Sequence, residues 1–160
     1  MPGRRVLDVG CGTGTPVAAW LVAQDRAVTG VDAAPAMVSR ARAALPRQRW
    51  IEADMRDLAL GESFDGVLAW CSLFHLAPDD QRRALTRLVA HLGPGGVLMF
   101  TSGTSEGFAL GVFAGAPLYH GSLASGEYRA RLEGLGLEVL DHREADPGCG
   151  GLTIWLARRP

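Results

Sequence analysis

At 160 residues, 48% of them apolar, the chain is long enough for one domain with a buried core. A net charge of −1 gives no electrostatic reason to expect DNA or RNA as a partner. All sixteen basic residues are arginine, which excludes a Schiff-base lysine and a P-loop lysine.

Residues 5–9 (RVLDV) are a short apolar run ending on glycines and read as a buried strand. Residues 15–24 follow as a helix, with Thr15 as its cap and Pro16 at the first helical position. A second strand at 27–31 leads to a second helix at 35–45, which opens on Pro35 and puts Val38, Ala41 and Leu45 on one face. Residues 49–53 and 64–70 read as the third and fourth strands. The clearest helix spans 79–92: Asp79 caps it, and Leu85, Leu88, Val89 and Leu92 form an i, i+3, i+4, i+7 stripe. Gly93-Pro94-Gly95-Gly96 then stops it before a fifth strand at 97–101. Residues 102–126 are rich in Gly and Ser with little periodicity, and read as a long substrate-side loop. A helix at about 126–134 and strands near 137–143 and 152–158 complete the chain.

Strand and helix alternate from residue 5 to residue 101. This order predicts a doubly wound α/β fold, a parallel sheet with helices on both faces, in a single domain covering 1–160. Ligands of such sheets sit beyond the carboxyl ends of the strands, so the loops after the first four strands are where chemistry is expected. The amino-terminal MPGRRVLDVG is too short for a secretory signal, and no stretch approaches the length of a membrane span. Cys11, Cys71 and Cys149 are odd in number and far apart, fitting neither a disulfide framework nor a zinc site. The expectation is a reduced, cytoplasmic protein with no metal.

Gly10-Cys11-Gly12-Thr13-Gly14 lies between a strand and a helix, where backbone can approach a ligand closely. Asp32 ends the second strand, at a spacing that suits a carboxylate accepting hydrogen bonds from ribose hydroxyls. Asp54 ends the third and is placed to meet the amino group of an adenine, with Met37 and Met55 packing on the ring faces. Taken singly, a glycine loop is weak and acids at strand ends are often solvated turn residues. Their joint order points to an adenosine-bearing ligand.

VLDVGCGTG at 6–14 resembles the first motif of the class I S-adenosylmethionine-dependent methyltransferases. VTGVDAAPAMV at 28–38, IEADMRDL at 51–58, FDGVLAWCSLFHL at 64–76 and LGPGGVLMF at 92–100 are similar to the family's later motifs. The tail looks like that of small bacterial members of unassigned substrate. The resemblance implies a Rossmann-like, seven-stranded sheet whose last strand is inserted antiparallel between the fifth and sixth. It implies S-adenosylmethionine as cofactor and methyl transfer to a small-molecule acceptor. It assigns Asp8, Gly10, Cys11, Gly12 and Gly14 to the cofactor loop, Asp32 and the adjoining Ala33 to the ribose end, and Asp54 and Met55 to the adenine. Ala69 and Trp70 then lie near the methionine part.

A nicotinamide dinucleotide is the alternative ligand, but its loops run G-x-G-x-x-G toward a pyrophosphate, whereas this one is one residue tighter. A non-catalytic binder of the same cofactor is a second alternative. Methyl transfer from a sulfonium needs alignment and exclusion of water above all, and a base only where the acceptor must shed a proton early. His75, after the fourth strand, and His120, at the end of the glycine-rich loop, are the candidates for that base or for substrate contact. Each also has a plain reading, as packing or exposed loop residues. Phe74 and Trp70 read as an aromatic acceptor wall or as core, and Tyr119 as a substrate contact. His91 and His142 read as surface positions, and Cys71 as a small buried filler replacing the acid expected after the tryptophan.

About five residues precede the first strand, where the family carries lid helices. A shorter cover leaves the cofactor end open and should weaken its hold. A second copy of the chain, forming a homodimer, is one candidate for the cover.

Overall fold

A computed structural model describes residues 3–160; Met1 and Pro2, the first residues of the stretch read for a leader, lie outside the described residues. The chain opens with β1 (Arg5–Val9), α1 (Val17–Ala23), β2 (Ala27–Asp32), α2 (Pro35–Ala44), β3 (Arg49–Glu52) and β4 (Phe64–Ala69). A 3₁₀ turn at Leu73–His75 precedes α3 (Pro78–Ala90) and β5 (Leu92–Ser102). Then come β6 (Gly107–Phe113), β7 (Ala116–Ser122), α4 (Ser125–Gly134), β8 (Glu138–Asp146) and β9 (Leu152–Arg158).

Seven strands form one sheet in the order β3-β2-β1-β4-β5-β9-β8. The pairs from β3 through to β5 are parallel, while β9 runs antiparallel to both β5 and β8. The sheet therefore has the expected form, with its last strand slotted antiparallel between the fifth and sixth. Reversal of strand order beside β1 brings the ends of β1, β2 and β4 together, the crevice where such sheets hold ligands.

The two faces are covered unequally. Side chains alternate along β1, so Leu7 and Val9 join the core beneath α3 and α4 while Val6 joins Val28, Val38, Ala41 and Trp50 beneath α1 and α2. Leu85, Leu88 and Val89 of the expected stripe are buried on α3, with Ala84 beside them, while Leu92, its fourth member, is buried at the start of β5 because the helix ends at Ala90. On that side Trp155, Phe100 and Tyr128 are fully buried and in mutual ring contact at 5.5–5.9 Å. On the other side the helices reach only over β1–β3. Beyond them lies an apolar groove of about 520 Å³, lined by Val17, Trp20, Leu68, Trp70, Met99 and Leu156. Trp20 is 63% exposed at its edge.

Several local expectations are corrected. Thr15 does not cap α1: its hydroxyl meets that of Thr13, and Pro16 takes the cap position. Asp79 does not cap α3 either; the helix starts at Pro78, and Asp79 sits in its first turn paired with Arg82. Gly93-Pro94-Gly95-Gly96 belongs to β5, which starts at Leu92, because Phe64 pairs with Leu92 before the register shifts to Gly66 opposite Val97. The 102–126 loop is mostly a hairpin, β6 paired antiparallel with β7 around Ala114-Gly115. Its alternation was hidden because Ala109 and Gly111, rather than polar residues, separate Phe108, Leu110 and Val112, which are 66–78% exposed.

No helix among the described residues is long and apolar enough to cross a membrane, and no cluster of three metal-ligating side chains occurs among them.

Candidate functional site

The glycine loop leaves β1 and is closed by two backbone hydrogen bonds, from the Gly10 and Cys11 N–H groups to the Val31 carbonyl. Gly10 has φ +74° and a Cβ there would lie 2.2 Å from Ser72 Cβ, so both its backbone and its neighbours demand glycine. Ser72 is buried and donates from Oγ to the Val9 carbonyl at 2.7 Å, tying the exit of β4 to the exit of β1. A Cβ on Gly12 would meet nothing within 4 Å, so the middle of the loop borders open space.

Asp32 holds the loop in place: Oδ2 accepts from the Gly12 N–H and Oδ1 from the Ala34 N–H, each at 2.9 Å. Each carboxylate oxygen keeps a second lone pair for a ligand hydroxyl. Ala33 is exposed beside it, and Met37 is half-buried on α2.

Asp8 is 2% exposed, and its Oδ2 has no hydrogen-bond partner. Burial, and then the charge of Asp32, pushes its carboxyl up to about 7. The same burial and the same two acids push the Cys11 thiol up to about 12, so Cys11 is an inert thiol at neutral pH. A buried acid with an unpartnered oxygen beside an open glycine cradle fits a ligand that brings a donor or a positive charge.

Asp54 has a different partner from the one its spacing suggests. The Arg56 guanidinium forks onto both its oxygens, with Nη2–Oδ2 at 2.6 Å, and the Arg56 N–H donates to Oδ1 at 2.8 Å. These hydrogen bonds hold the Asp54 carboxyl below its ordinary value. Arg56 also reaches Asp80 on α3 at 3.2 Å. Met55 does reach the loop: a Cβ on Gly10 would lie 3.4 Å from its Cε.

At the end of β4, Ala69 is buried and Trp70 turns into the apolar groove on the α1 face. Cys71 is exposed rather than buried, in the left-handed region at φ +51°, and donates its N–H to the buried Thr101 hydroxyl at 2.9 Å. The 3₁₀ turn then brings Phe74 and His75 against β7. The Phe74 ring stands edge-on to those of His75 and His120 at 4.8 and 5.1 Å, and the two imidazoles are 5.1 Å apart. His75 Nδ1 lies 3.2 Å from the Tyr119 carbonyl. The Tyr119 ring stacks on Phe108. Of the four residues singled out in sequence as catalytic or acceptor-binding, the rings of Phe74, His75 and His120 thus form one cluster, and Tyr119 joins it through its backbone carbonyl while its ring packs on Phe108.

Gln81 locks that cluster in place. It is fully buried and donates from Nε2 to the Leu76 and Gly121 carbonyls, both at 2.9 Å, while Tyr128 donates its hydroxyl to Gln81 Oε1. The end of the 3₁₀ turn and the end of β7 are therefore held to one side chain. Above them a cavity of about 400 Å³ opens between Phe74, Ser102, Glu106, His120 and Ser122. Sequence reading missed Arg56, Ser72, Gln81 and Glu106; only the Asp-x-Arg spacing of 54–56 carried a local signal for any of them.

The remaining histidines are not surface positions. His91 is 4% exposed, accepts from the Leu60 N–H at Nε2, and donates from Nδ1 to the Arg87 carbonyl at 2.7 Å. His142 stacks on Trp155 at 3.7 Å, and desolvation lowers its pKa.

The sequence profile of the methyltransferase domain family matches residues 6–96. Trans-aconitate 2-methyltransferase of Escherichia coli O1:K1 / APEC is 38% identical over 97 residues, which are 58% of this chain. The chain spans only 36% of that relative's length. Among solved structures, S-adenosylmethionine-bound CalS10, an amino pentose methyltransferase from Micromonospora echinaspora, superposes with a TM-score of 0.78 at 26% identity, covering 99% of this chain and 84% of that one. The glycopeptide N-methyltransferase MtfA with bound S-adenosyl-L-homocysteine gives 0.80 at 16% identity, with the same coverage of both chains, a likeness of fold.

Proposed function

The chain belongs to the methyltransferase domain family, and from that premise we propose that it transfers the methyl group of S-adenosylmethionine to a small-molecule acceptor. The observation that carries this reading is Asp8, a buried carboxyl with an unpartnered oxygen at the root of an open glycine cradle. The cofactor's amino acid end offers the ammonium that such an oxygen lacks, and its ribose offers the hydroxyls that Asp32 can still accept. In this reading Gly10, Cys11, Gly12 and Gly14 line the loop, with Ala33, Met37, Met55 and Ala69 bordering the adenosine and methionine ends. Asp54 acts through Arg56, which its carboxylate orients at the rim.

When bound, S-adenosylmethionine supplies a methyl group already activated by a sulfonium. The chain's task is then to place the acceptor in line and keep water out. Phe74 walls the acceptor side, Tyr119 backs Phe108 on the same cavity, and Gln81 fixes the turn and strand that carry Phe74 and Tyr119. His120, on the cavity wall, takes the acceptor's proton where one must leave, with His75 bracing the wall through the Tyr119 carbonyl.

We further propose a single domain, a cytoplasmic and bacterial setting, and a homodimer formed across the groove edged by Trp20. Support for the dimer is the size of the large apolar side chains left bare there. Concentration-dependent light scattering tests it; a monomer at all concentrations rejects it. For the reaction, the test is incubation with methyl-labelled S-adenosylmethionine and a panel of small amines, alcohols and carboxylic acids. Label in an acceptor supports transfer; binding of the cofactor with no transfer to any of them supports the non-catalytic alternative.

A further inference from the structure

The cavity beyond β5 carries information about charge that the fold does not. Its polar side chains are Ser102, Thr104, Ser105, Glu106, His120 and Ser122. No arginine lines it among the described residues, and the chain has no lysine. Arginines on the neighbouring elements are committed elsewhere: Arg56 to Asp54 and Asp80, Arg82 to Glu127 and Asp79, Arg83 to Asp57. The buried serines are also used locally. Ser102 donates to the Gly103 carbonyl and accepts from Trp155 Nε1, and Ser122 donates to the Leu123 carbonyl. Glu106 is exposed and, among the described residues, stands in no ion pair, so among them it supplies the one carboxylate on the wall.

An anionic acceptor entering here gives up water, meets no cation and faces a carboxylate. A cation entering gains Glu106 and the aromatic wall of Phe74. On the methyl-transfer reading above, we propose that the acceptor is an amine carried on a hydroxylated scaffold, with Glu106 selecting the amine and the exposed Thr104 and Ser105 hydroxyls of the same wall meeting the scaffold. The amine arrives as an ammonium and gives one proton to bulk water before reaction. The nitrogen lone pair then forms the C–N bond while the S–C bond breaks, its electron pair staying on sulfur, which leaves as a neutral thioether. The proton still held by the new ammonium passes to His120 and on to solvent. By this chemistry the chain differs from a relative that acts on trans-aconitate, an anion.

The test uses one scaffold at three charges. First, S-adenosyl-L-homocysteine binding is measured by calorimetry; its absence defeats the methyl-transfer reading itself. With that ligand bound, glucosamine, glucose and glucuronate are titrated and followed by saturation-transfer NMR. We expect glucosamine to bind best and glucuronate worst, roughly tenfold apart. Glu106→Gln, at an exposed position that does not threaten folding, should shrink that gap to about twofold. High salt should shrink it in the same direction. Glucuronate binding as well as glucosamine, an unchanged gap in E106Q, or binding of none of the three overturns the proposal. So does turnover of trans-aconitate with none of a set of amino sugars.

Discussion

Replacing Asp8 with Asn isolates the buried acid on which the cofactor reading rests. Its carboxyl is moved from an ordinary 3.8 to about 7, by burial first and by Asp32 second. The folded protein therefore holds this proton more tightly than the unfolded chain. Asp8 costs nothing below about pH 4, where both states are protonated. Stability is lost as pH rises from about 4 to about 7, and the loss is complete above that. About three pH units at about 1.4 kcal/mol each set a ceiling on the order of 4 kcal/mol. For a domain of this size that is at most roughly 8–16 °C in melting temperature. Scanning calorimetry of wild type and D8N between pH 5 and 8 should show the variant gaining on the wild type as pH rises, by several degrees. A ligand ammonium beside Asp8 would reverse the balance and ionise it. Binding of S-adenosyl-L-homocysteine at pH 6 should then release close to one proton, about 0.9 for a group titrating near 7. Calorimetry in two buffers of different ionisation enthalpy measures that number. Parallel melting curves for the two proteins at every pH, or binding with no proton release, would refute the reasoning.

Asp32→Ala removes the acceptor for the Gly12 and Ala34 N–H groups as well as the ribose contact, so S-adenosyl-L-homocysteine affinity should fall by about 2–3 kcal/mol in an isothermal titration. Gly10→Ala forces a Cβ to 2.2 Å from Ser72 at positive φ; binding should be lost and the melting temperature lowered, and a variant that binds normally contradicts the close approach. Gln81→Leu strands the Leu76 and Gly121 carbonyls and should cost about 2–4 kcal/mol in urea unfolding, with kcat falling more than cofactor affinity. Phe100→Ala opens a cavity between Tyr128 and Trp155 and should cost about 3–5 kcal/mol in the same assay, without touching the cofactor loop.

The sheet was legible because its strands are short apolar runs separated by amphipathic helices, and that alternation leaves few topologies open. The glycine loop and Asp32 were legible because their spacing is set by one strand–helix–strand unit. Non-local contacts were not. Asp54 looked free because Arg56 is only two residues away, and whether such a pair forms depends on backbone that sequence does not display. His91 looked like an end-of-helix surface residue until the Leu60 N–H reached it from 31 positions away. The hairpin at 107–122 was misread because its alternation sets large apolar against small residues on an exposed element. Gln81 sat among charged residues of an amphipathic helix, and only the convergence of the Leu76 and Gly121 carbonyls gives it a role.

The central claim is that the loop of Gly10, Gly12 and Gly14, backed by Asp8 and Asp32, holds S-adenosylmethionine. Calorimetric titration with S-adenosyl-L-homocysteine, alongside NADH, tests it most directly. The account predicts one site per chain for S-adenosyl-L-homocysteine, none for NADH, and that site weakened by about 2–3 kcal/mol in Asp32→Ala. Binding of NADH with no response to S-adenosyl-L-homocysteine would contradict it.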